Sequence, residues 1–132
     1  MTIDSPVITD AHERASARRY RQLIDGRLIE GASQAPVIDP ATERVIASAP
    51  VASDEQVDAA VEAAHRAFAT WRHSTFAERH AVLRAMVARI RERAEDIAEV
   101  ITLEQGKSIS AARLDVELSI AWAEYYLSLI HI

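Results

Sequence analysis

The stretch from Thr75 to Lys107 constrains the fold of this chain more than any other part of its sequence. Thr75 and Glu78 have the spacing of a capping box, in which each side chain binds the backbone N–H of the other residue at a helix start. Arginine and glutamate occupy much of the helix face opposite the apolar residues, so the pattern predicts an amphipathic helix. Its apolar residues recur every three or four positions, at Leu83, Val87, Ile90, Ala94, Ile97 and Ile101.

The length of this predicted helix requires a bend or a larger supporting body. An unbroken helix from Phe76 to Gln105, ended by Gly106 in the left-handed conformation, would be about 45 Å long at ~1.5 Å per residue. A compact globule of this chain length has a diameter of only about 36 Å. The helix would therefore protrude from its own domain unless it bends or another body supports it.

Two pairs of short extended segments precede the helix. Asp25-Gly26 stands between the extended segments Gln22–Ile24 and Arg27–Ile29 and is the strongest short signal for a two-residue hairpin. Pro36–Ile38 and Arg44–Ala47 flank a turn in which Pro40 presets φ. Because isolated hairpins are marginal in water, we expect this β arm to lie against another part of the protein.

Two further helices are predicted, one on each side of the long one. Ser53 and Gln56 form a second capping box, and Trp71 closes the helix that follows. Burial of Phe68 and Trp71 is expected to dock this helix on the next one. Its apolar positions are Val57, Val61, Ala64 and Phe68. The last helix runs from about Ser108, with one face formed by Ile109, Ala112, Val116, Ile120 and Ala123 and widened by Trp122, Tyr125 and Tyr126.

The composition excludes several classes of function. A formal charge of −5 does not suit a surface for nucleic acid or anionic membrane. Without any cysteine, disulfides, thiolate chemistry and cysteine-bound zinc are excluded. The chain start lacks the pattern of a signal peptide, and the apolar run Leu118–Ile132 is too short to span a bilayer. We therefore predict a cytoplasmic protein with no nucleic-acid or membrane partner.

One motif resembles a nucleotide-binding sequence, but a helix end followed by a turn is a simpler interpretation. Gly106-Lys107-Ser108 resembles the end of a phosphate loop, but Ile101 stands where that loop requires its first glycine. A phosphate loop also opens a helix, whereas Gly106 is expected to end one. Lys107, the only lysine of the sequence, is therefore expected to position the turn or pair with a carboxylate.

The other polar groups predict no metal or cofactor site. No two of the five histidines lie four residues apart on a helix, as zinc ligands would. Glu92, Glu95 and Asp96 lie beside arginines, which is typical of a solvated helix face. The three glycines are too dispersed to form the Gly-x-Gly-x-x-Gly loop of dinucleotide-binding proteins. We therefore identify no catalytic, cofactor-binding or metal-binding residue in this sequence.

Taken together, the segments resemble the N-terminal portion of the aldehyde dehydrogenase superfamily. The matching motifs occur in the family's order from about Tyr20 to Tyr126. They are the strand Leu23–Gly26, the turn Ile38–Thr42, the strand Val45–Ala47, the helices Val57–Trp71 and from Ala77, the Glu-x-Gly-Lys sequence in Leu103–Lys107 and the pair Tyr125-Tyr126. The form Leu-Glu-Gln-Gly-Lys is similar to the branch that contains succinate-semialdehyde dehydrogenase.

This resemblance implies an α/β parent fold with a Rossmann-like coenzyme-binding domain. The chain would be an N-terminal fragment, with a β arm of hairpins followed by three to four α-helices. Residues 1–19 would be a flexible arm, and residues 20–132 the incomplete front of the coenzyme-binding domain. The resemblance also implies a homo-oligomeric parent that oxidises an aldehyde to a carboxylic acid with NAD or NADP. Its cysteine nucleophile, glutamate base and oxyanion-stabilising amide all lie outside this fragment, which we expect to be inactive alone.

The sequence also departs from the family pattern at three positions. Asp39 replaces a usual asparagine, Glu43 a turn glycine, and Ser108 a proline that commonly follows the lysine. Family members tend to break the long helix near Glu92 to Ala94. Because this agrees with the argument from helix length, we expect a bend at that place.

The end of the chain leaves an alternative open. Residues 127–132 contain four large aliphatic side chains and no helix cap, so we expect a tail produced by truncation of the gene near Tyr126. The alternative is a stand-alone helical module that binds a partner helix through its apolar faces. A continuing reading frame that encodes a cysteine favours the fragment, and a stop codon after Ile132 favours the module.

Overall fold

A computed structural model describes residues 13–129 of the chain, and these residues belong to two compact units, Met1–His73 and Ser74–Ile132. A short helical turn at residues 13–16 opens the described part of the first unit. Most of the predicted flexible arm, residues 1–12, lies outside the described residues. The first unit continues with β1 (Gln22–Ile24), β2 (Arg27–Ile29), β3 (Ser33–Ile38), β4 (Val45–Val51) and α1 (Asp54–Trp71). The second unit contains α2 (Phe76–Glu92), α3 (Ala94–Gln105) and α4 (Ile109–Leu129).

The first hairpin has the predicted two-residue turn. β1 and β2 pair antiparallel, with Leu23 opposite Leu28 and Ile24 opposite Arg27. Asp25 has a φ of 52° and Gly26 a φ of 73°, which is the pair of positive angles that a type I′ turn requires. The hairpin prediction is therefore confirmed to the residue.

The second hairpin is longer than predicted and contains a bulge. β3 and β4 pair antiparallel from Ser33 opposite Val51, and the register shifts between Val37 and Ile38. Since Val37 is opposite Ala47 and Ile38 opposite Val45, the extra residue on β4 is Ile46. Its side chain is buried, and its carbonyl oxygen accepts a hydrogen bond from Ser16 Oγ at 2.9 Å.

The turn between β3 and β4 depends on one buried carboxylate. Asp39 Oδ1 accepts from the Ala41 N–H and Oδ2 from the Thr42 hydroxyl, both at 2.8 Å. The Asp39 carbonyl also accepts from the Glu43 N–H at 2.8 Å. These bonds hold Glu43 at a φ of 59°, the left-handed region that favours glycine.

The start of α1 is fastened to the link between β2 and β3. Ser53 and Gln56 form the predicted capping box, and the Gln56 amide reaches further, donating to the Glu30 carbonyl at 2.9 Å. A Cβ added at Gly31 would lie 2.7 Å from the Val51 carbonyl oxygen, so only glycine fits where the link passes the end of β4. One glutamine side chain thus joins the helix start to the hairpins.

The face of α1 that packs in the first unit differs from the predicted one. Ala63 is its one buried residue, and Arg66 pairs with Asp25 of the hairpin turn at 3.4 Å. Phe68 and Trp71 are 55% and 45% exposed, so the first unit does not bury them, and their docking on the next helix stays a prediction. Ala63 shares a helix face with Gln56 and Arg66, which lie seven positions before it and three after it, and the bulky apolar residues lie on another face.

The long helix breaks where the sequence predicted a bend. Thr75 caps α2, Gly106 ends α3 at a φ of 70°, and the two helices are separated by the single residue Arg93. Arg93 has φ −112° and ψ 17°, outside the helical range, and its N–H bonds the Ile90 carbonyl at 3.1 Å. Both the bend and the two helix ends are confirmed.

The second unit has a core in which α2 and α3 pack on one face of α4. The buried residues of this core are Val87, Ala98, Ala112, Val116, Ile120 and Leu127, with Ile90, Ala94, Ile97, Ile101 and Ala123 packed against them. Most of the predicted apolar positions are therefore in this core, whereas Leu83 is 37% exposed. Leu127, the first residue of the expected tail, is in the core as well, and residues 130–132 lie outside the described part of the chain.

The two helix caps predict a measurable loss of stability. We expect Ser53→Ala and Thr75→Ala each to lower the free energy of unfolding by about 1 kcal/mol, because each leaves a helix N–H without its side-chain acceptor. Thermal melting followed by circular dichroism measures the effect. Thr70→Ala is the control, since the Thr70 hydroxyl bonds the Ala67 carbonyl within the last turn of α1. Unchanged melting in both cap variants would contradict the assignment.

The turn at Glu43 predicts a stabilising substitution. We expect Glu43→Gly to raise the free energy of unfolding by about 1 kcal/mol, because glycine adopts a positive φ without the clash of a Cβ. Chemical denaturation measures the difference. Glu43→Ala removes the same carboxylate but keeps the Cβ, so it should bring no gain; equal stabilisation by alanine would argue against backbone strain.

Candidate functional site

The Gly106–Ser108 turn resembles the end of a phosphate loop in sequence, but in the structure it connects α3 to α4. The Gly106 N–H donates to the Thr102 carbonyl at 2.9 Å and so ends α3. Lys107 forms an ion pair with Asp115 in the second turn of α4. Ser108 Oγ accepts from the Ala111 N–H at 3.3 Å, as a cap of α4. Gly106 thus ends a helix where a phosphate loop would open one, and Lys107 pairs with a carboxylate as predicted.

The acidic residues near the helix break are each held by an arginine. Glu92 pairs with Arg89 at 2.8 Å, and Asp96 lies 3.7 Å from Arg93. Glu95 forms a bidentate ion pair with Arg113, in which Nε donates to Oε1 at 3.0 Å and Nη2 donates to Oε2 at 2.8 Å. These hydrogen bonds, and then the charge of Glu95, raise the pKa of Arg113. The carboxylates therefore serve as a solvated, salt-bridged helix face, as predicted.

A similar electrostatic arrangement occurs at the start of α2. Glu78 Oε2 accepts from the Thr75 N–H at 2.7 Å and from its hydroxyl at 2.9 Å. The backbone bond first, and then the hydroxyl bond, lower the pKa of Glu78. The carboxylate is stabilised as an anion at the helix start and is unsuited to act as a general base.

Residues 13–129 contain no constellation for metal binding. No three histidine or acidic side chains approach one another as ligands within this range. His65, His73 and His80 are dispersed over the two units, and His12 and His131 lie outside the described residues. None of the helices in this range has the length and apolarity needed to cross a bilayer.

The second unit exposes an aromatic cluster on α4. The ring centroids of Trp122 and Tyr125 are 6.0 Å apart, and those of Tyr125 and Tyr126 are 5.6 Å apart. All three side chains are more than half exposed. With Leu118 and Ala121, Trp122 and Tyr125 line an apolar groove of about 340 Å³. An exposed apolar surface of this kind is typical of a covered interface or a binding groove.

The first unit has an exposed apolar face and a more polar groove. The face lies on α1 and contains Val57, Val61, Phe68 and Trp71, each between 45% and 63% exposed. The groove, of about 530 Å³, lies beside β4 and is lined by residues 16–20 and 45–48 together with Glu30 and Gln34. It contains the ion pair of Arg19 with Glu30, at 3.1 Å. Sequence periodicity predicted that these apolar residues of α1 share one face, but the sequence analysis expected that face to be buried.

Comparison with known proteins identifies relatives over most of the chain. The profile of the aldehyde dehydrogenase family matches residues 28–131. The chain is 39% identical over 101 residues to 4-trimethylaminobutyraldehyde dehydrogenase of Sus scrofa, covering 76% of this chain and 20% of that protein. It is 33% identical over 104 residues to succinate-semialdehyde dehydrogenase [NADP(+)] of Saccharomyces cerevisiae, covering 78% of this chain and 21% of that protein.

A solved structure has the same fold. Betaine aldehyde dehydrogenase of Staphylococcus aureus, in complex with NAD+, superposes with a TM-score of 0.84 and 29% identity, covering 92% of this chain and 25% of that one. The chain thus spans about a fifth to a quarter of the length of these relatives. The strands and helices described above form an N-terminal part of their α/β fold, and the chain belongs to the aldehyde dehydrogenase family.

Proposed function

We propose that this chain is the N-terminal part of an NAD- or NADP-dependent aldehyde dehydrogenase that oxidises an aldehyde to a carboxylic acid. The observation that carries the proposal is the family match over residues 28–131, which spans the second hairpin and all four helices. The chain itself would contribute no catalytic group. In an enzyme of this type a cysteine thiolate attacks the aldehyde, and this sequence has no cysteine.

Within the complete enzyme, residues 20–132 would form the front of the coenzyme-binding domain. The character of their contacts supports a scaffolding role. The titratable groups near the helix break are held in arginine ion pairs, and Gln56 holds the start of α1 to the hairpins. Fully engaged polar groups fix geometry and leave few groups to exchange protons with a substrate.

The substrate is proposed only as an aldehyde, and the cofactor as either nicotinamide dinucleotide. The relatives are named for chemically different aldehydes, one with a trimethylammonium group and one with a carboxylate. One relative is named for NADP+, and another was solved with NAD+. Cytoplasmic location and homo-oligomeric assembly of the complete protein belong to the same proposal.

A stand-alone helical interaction module is the second candidate. The exposed apolar faces of α1 and α4 support it, because an amphipathic partner helix binds such surfaces. The family match over most of the chain favours the enzyme fragment. The DNA that follows the codon of Ile132 discriminates between the two: a continuing frame that encodes a cysteine supports the fragment, and a stop codon supports the module.

We predict that the 132-residue chain has no aldehyde-oxidising activity. The purified chain should leave NAD+ and NADP+ unreduced with betaine aldehyde, succinic semialdehyde and propionaldehyde, since no thiolate is present to form the covalent intermediate. The absorbance of the reduced nicotinamide measures turnover, and Staphylococcus aureus betaine aldehyde dehydrogenase with betaine aldehyde is the positive control. Turnover that persists through rigorous purification would refute the proposal that the chemistry lies elsewhere.

We also predict that the isolated chain binds apolar dyes and self-associates. The exposed rings on α4 and the exposed face of α1 should bind ANS, and sedimentation at micromolar concentration should detect oligomers. Replacing Trp122, Tyr125 and Tyr126 together by serine should reduce both signals. The matched control replaces three exposed polar residues, Arg89, Glu92 and Glu117, by serine. A monomeric chain with a sharp melt and no dye fluorescence would support a complete domain instead.

A further inference from the structure

The basic side chains of this protein are almost all arginines. Of its 15 lysine and arginine residues, only Lys107 is a lysine. The distinction matters for a protein that meets aldehydes, because a lysine amine forms Schiff bases with carbonyl compounds, whereas the guanidinium of arginine stays protonated. Apart from the α-amine of Met1, Lys107 is the one primary amine in the sequence.

The surroundings of Lys107 restrict its movement. It follows Gly106, whose φ of 70° turns the chain from α3 toward α4, and its Nζ pairs with Asp115 Oδ2. The Lys107 side chain is 33% exposed and that of Asp115 is 45% exposed. Small aldehydes in solvent can therefore reach the amine, while the carboxylate holds it against α4.

We propose that the ion pair with Asp115 restrains Lys107 from condensing with aldehydes, and that Lys107 is the side chain these compounds modify when the pair opens. In the reaction the ammonium group leaves Asp115 and releases a proton to water. The nitrogen lone pair then attacks the carbonyl carbon, and loss of water gives an imine. No oxidant or reductant is consumed.

This inference rests on the proposed function in one respect: it assumes that the complete enzyme is exposed to aldehydes. The condensation needs no active site and is measured on a chain without a catalytic cysteine. If the complete enzyme proved to oxidise no aldehyde, the proposed function would fail while the adduct measured on Lys107 stayed the same.

The test traps the imine by reduction. The 132-residue chain is incubated with propionaldehyde and cyanoborohydride, which converts the imine to a stable secondary amine. Trypsin no longer cleaves after a modified Lys107, so the adduct appears as one peptide that spans residues 94–113. The adduct on the Met1 α-amine provides an internal reference rate for each sample.

Asp115→Asn should accelerate the Lys107 adduct about two- to fivefold relative to the α-amine, which is the range expected for loss of a partly exposed ion pair. Glu95→Gln is the matched control, because it breaks the pair with Arg113 and leaves Lys107 paired. Asp115→Glu, which keeps a carboxylate, should stay close to the parent rate. Lys107→Arg should yield no adduct within residues 94–113.

A salt series on the parent chain keeps the proposal testable if Asp115→Asn fails to fold. High salt screens the ion pair, so the Lys107 rate should rise relative to the α-amine as salt increases. Equal rates in the parent and in a folded Asp115→Asn, a salt-independent ratio, or no Lys107 adduct in any chain would overturn the proposal.

Discussion

The interruption at Arg93 is the feature on which the packing of the second unit depends. One residue with non-helical angles turns a single predicted rod into α2 and α3, and both helices then pack against α4. They use the same stripe of α4, in which Ala112, Val116 and Ile120 recur at spacings of four. Because of the break, apolar residues on both sides of Arg93, such as Val87 and Ala98, lie in one core. The helix break therefore converts a long amphipathic pattern into a compact three-helix core.

Local signals in the sequence were sufficient to predict the ends of most elements. The positive φ angles of Asp25 and Gly26, the capping boxes of α1 and α2 and the left-handed Gly106 all follow from interactions between residues a few positions apart. The position of the helix break could not be predicted from local sequence, because Arg93 is not a helix-breaking residue. The helix length indicated a bend, and the family resemblance gave its position. Local chemistry, chain length and resemblance thus contributed separately to a correct fold.

Long-range packing was harder to predict. Periodicity identified the apolar side of α1, but the helix contacts the hairpins through the polar residues Gln56 and Arg66, and its one buried residue is the small Ala63. Hydrophobicity alone cannot identify such a face, because close approach depends on small side chains and on polar groups that meet backbone carbonyls. The extra residue Ile46 and the close contact at Gly31 were also missed, because each depends on pairing with another strand. The bulge lies opposite Val37 and Ile38, and Gly31 meets the backbone of Val51.

The engaged polar side chains and the exposed apolar surfaces have a common physical explanation under the proposed function. A segment that serves as scaffold uses its polar side chains to fix turns, caps and helix pairs, as Asp39, Gln56 and Glu95 do. Its apolar residues exceed what two small units can bury, so the rings of α4 and the outer face of α1 remain in contact with solvent. A neighbouring body that covered Trp122 and Phe68 would add on the order of 2–3 kcal/mol for each side chain. The stability of the helices and the assembly of the complete enzyme would then depend on the same surfaces.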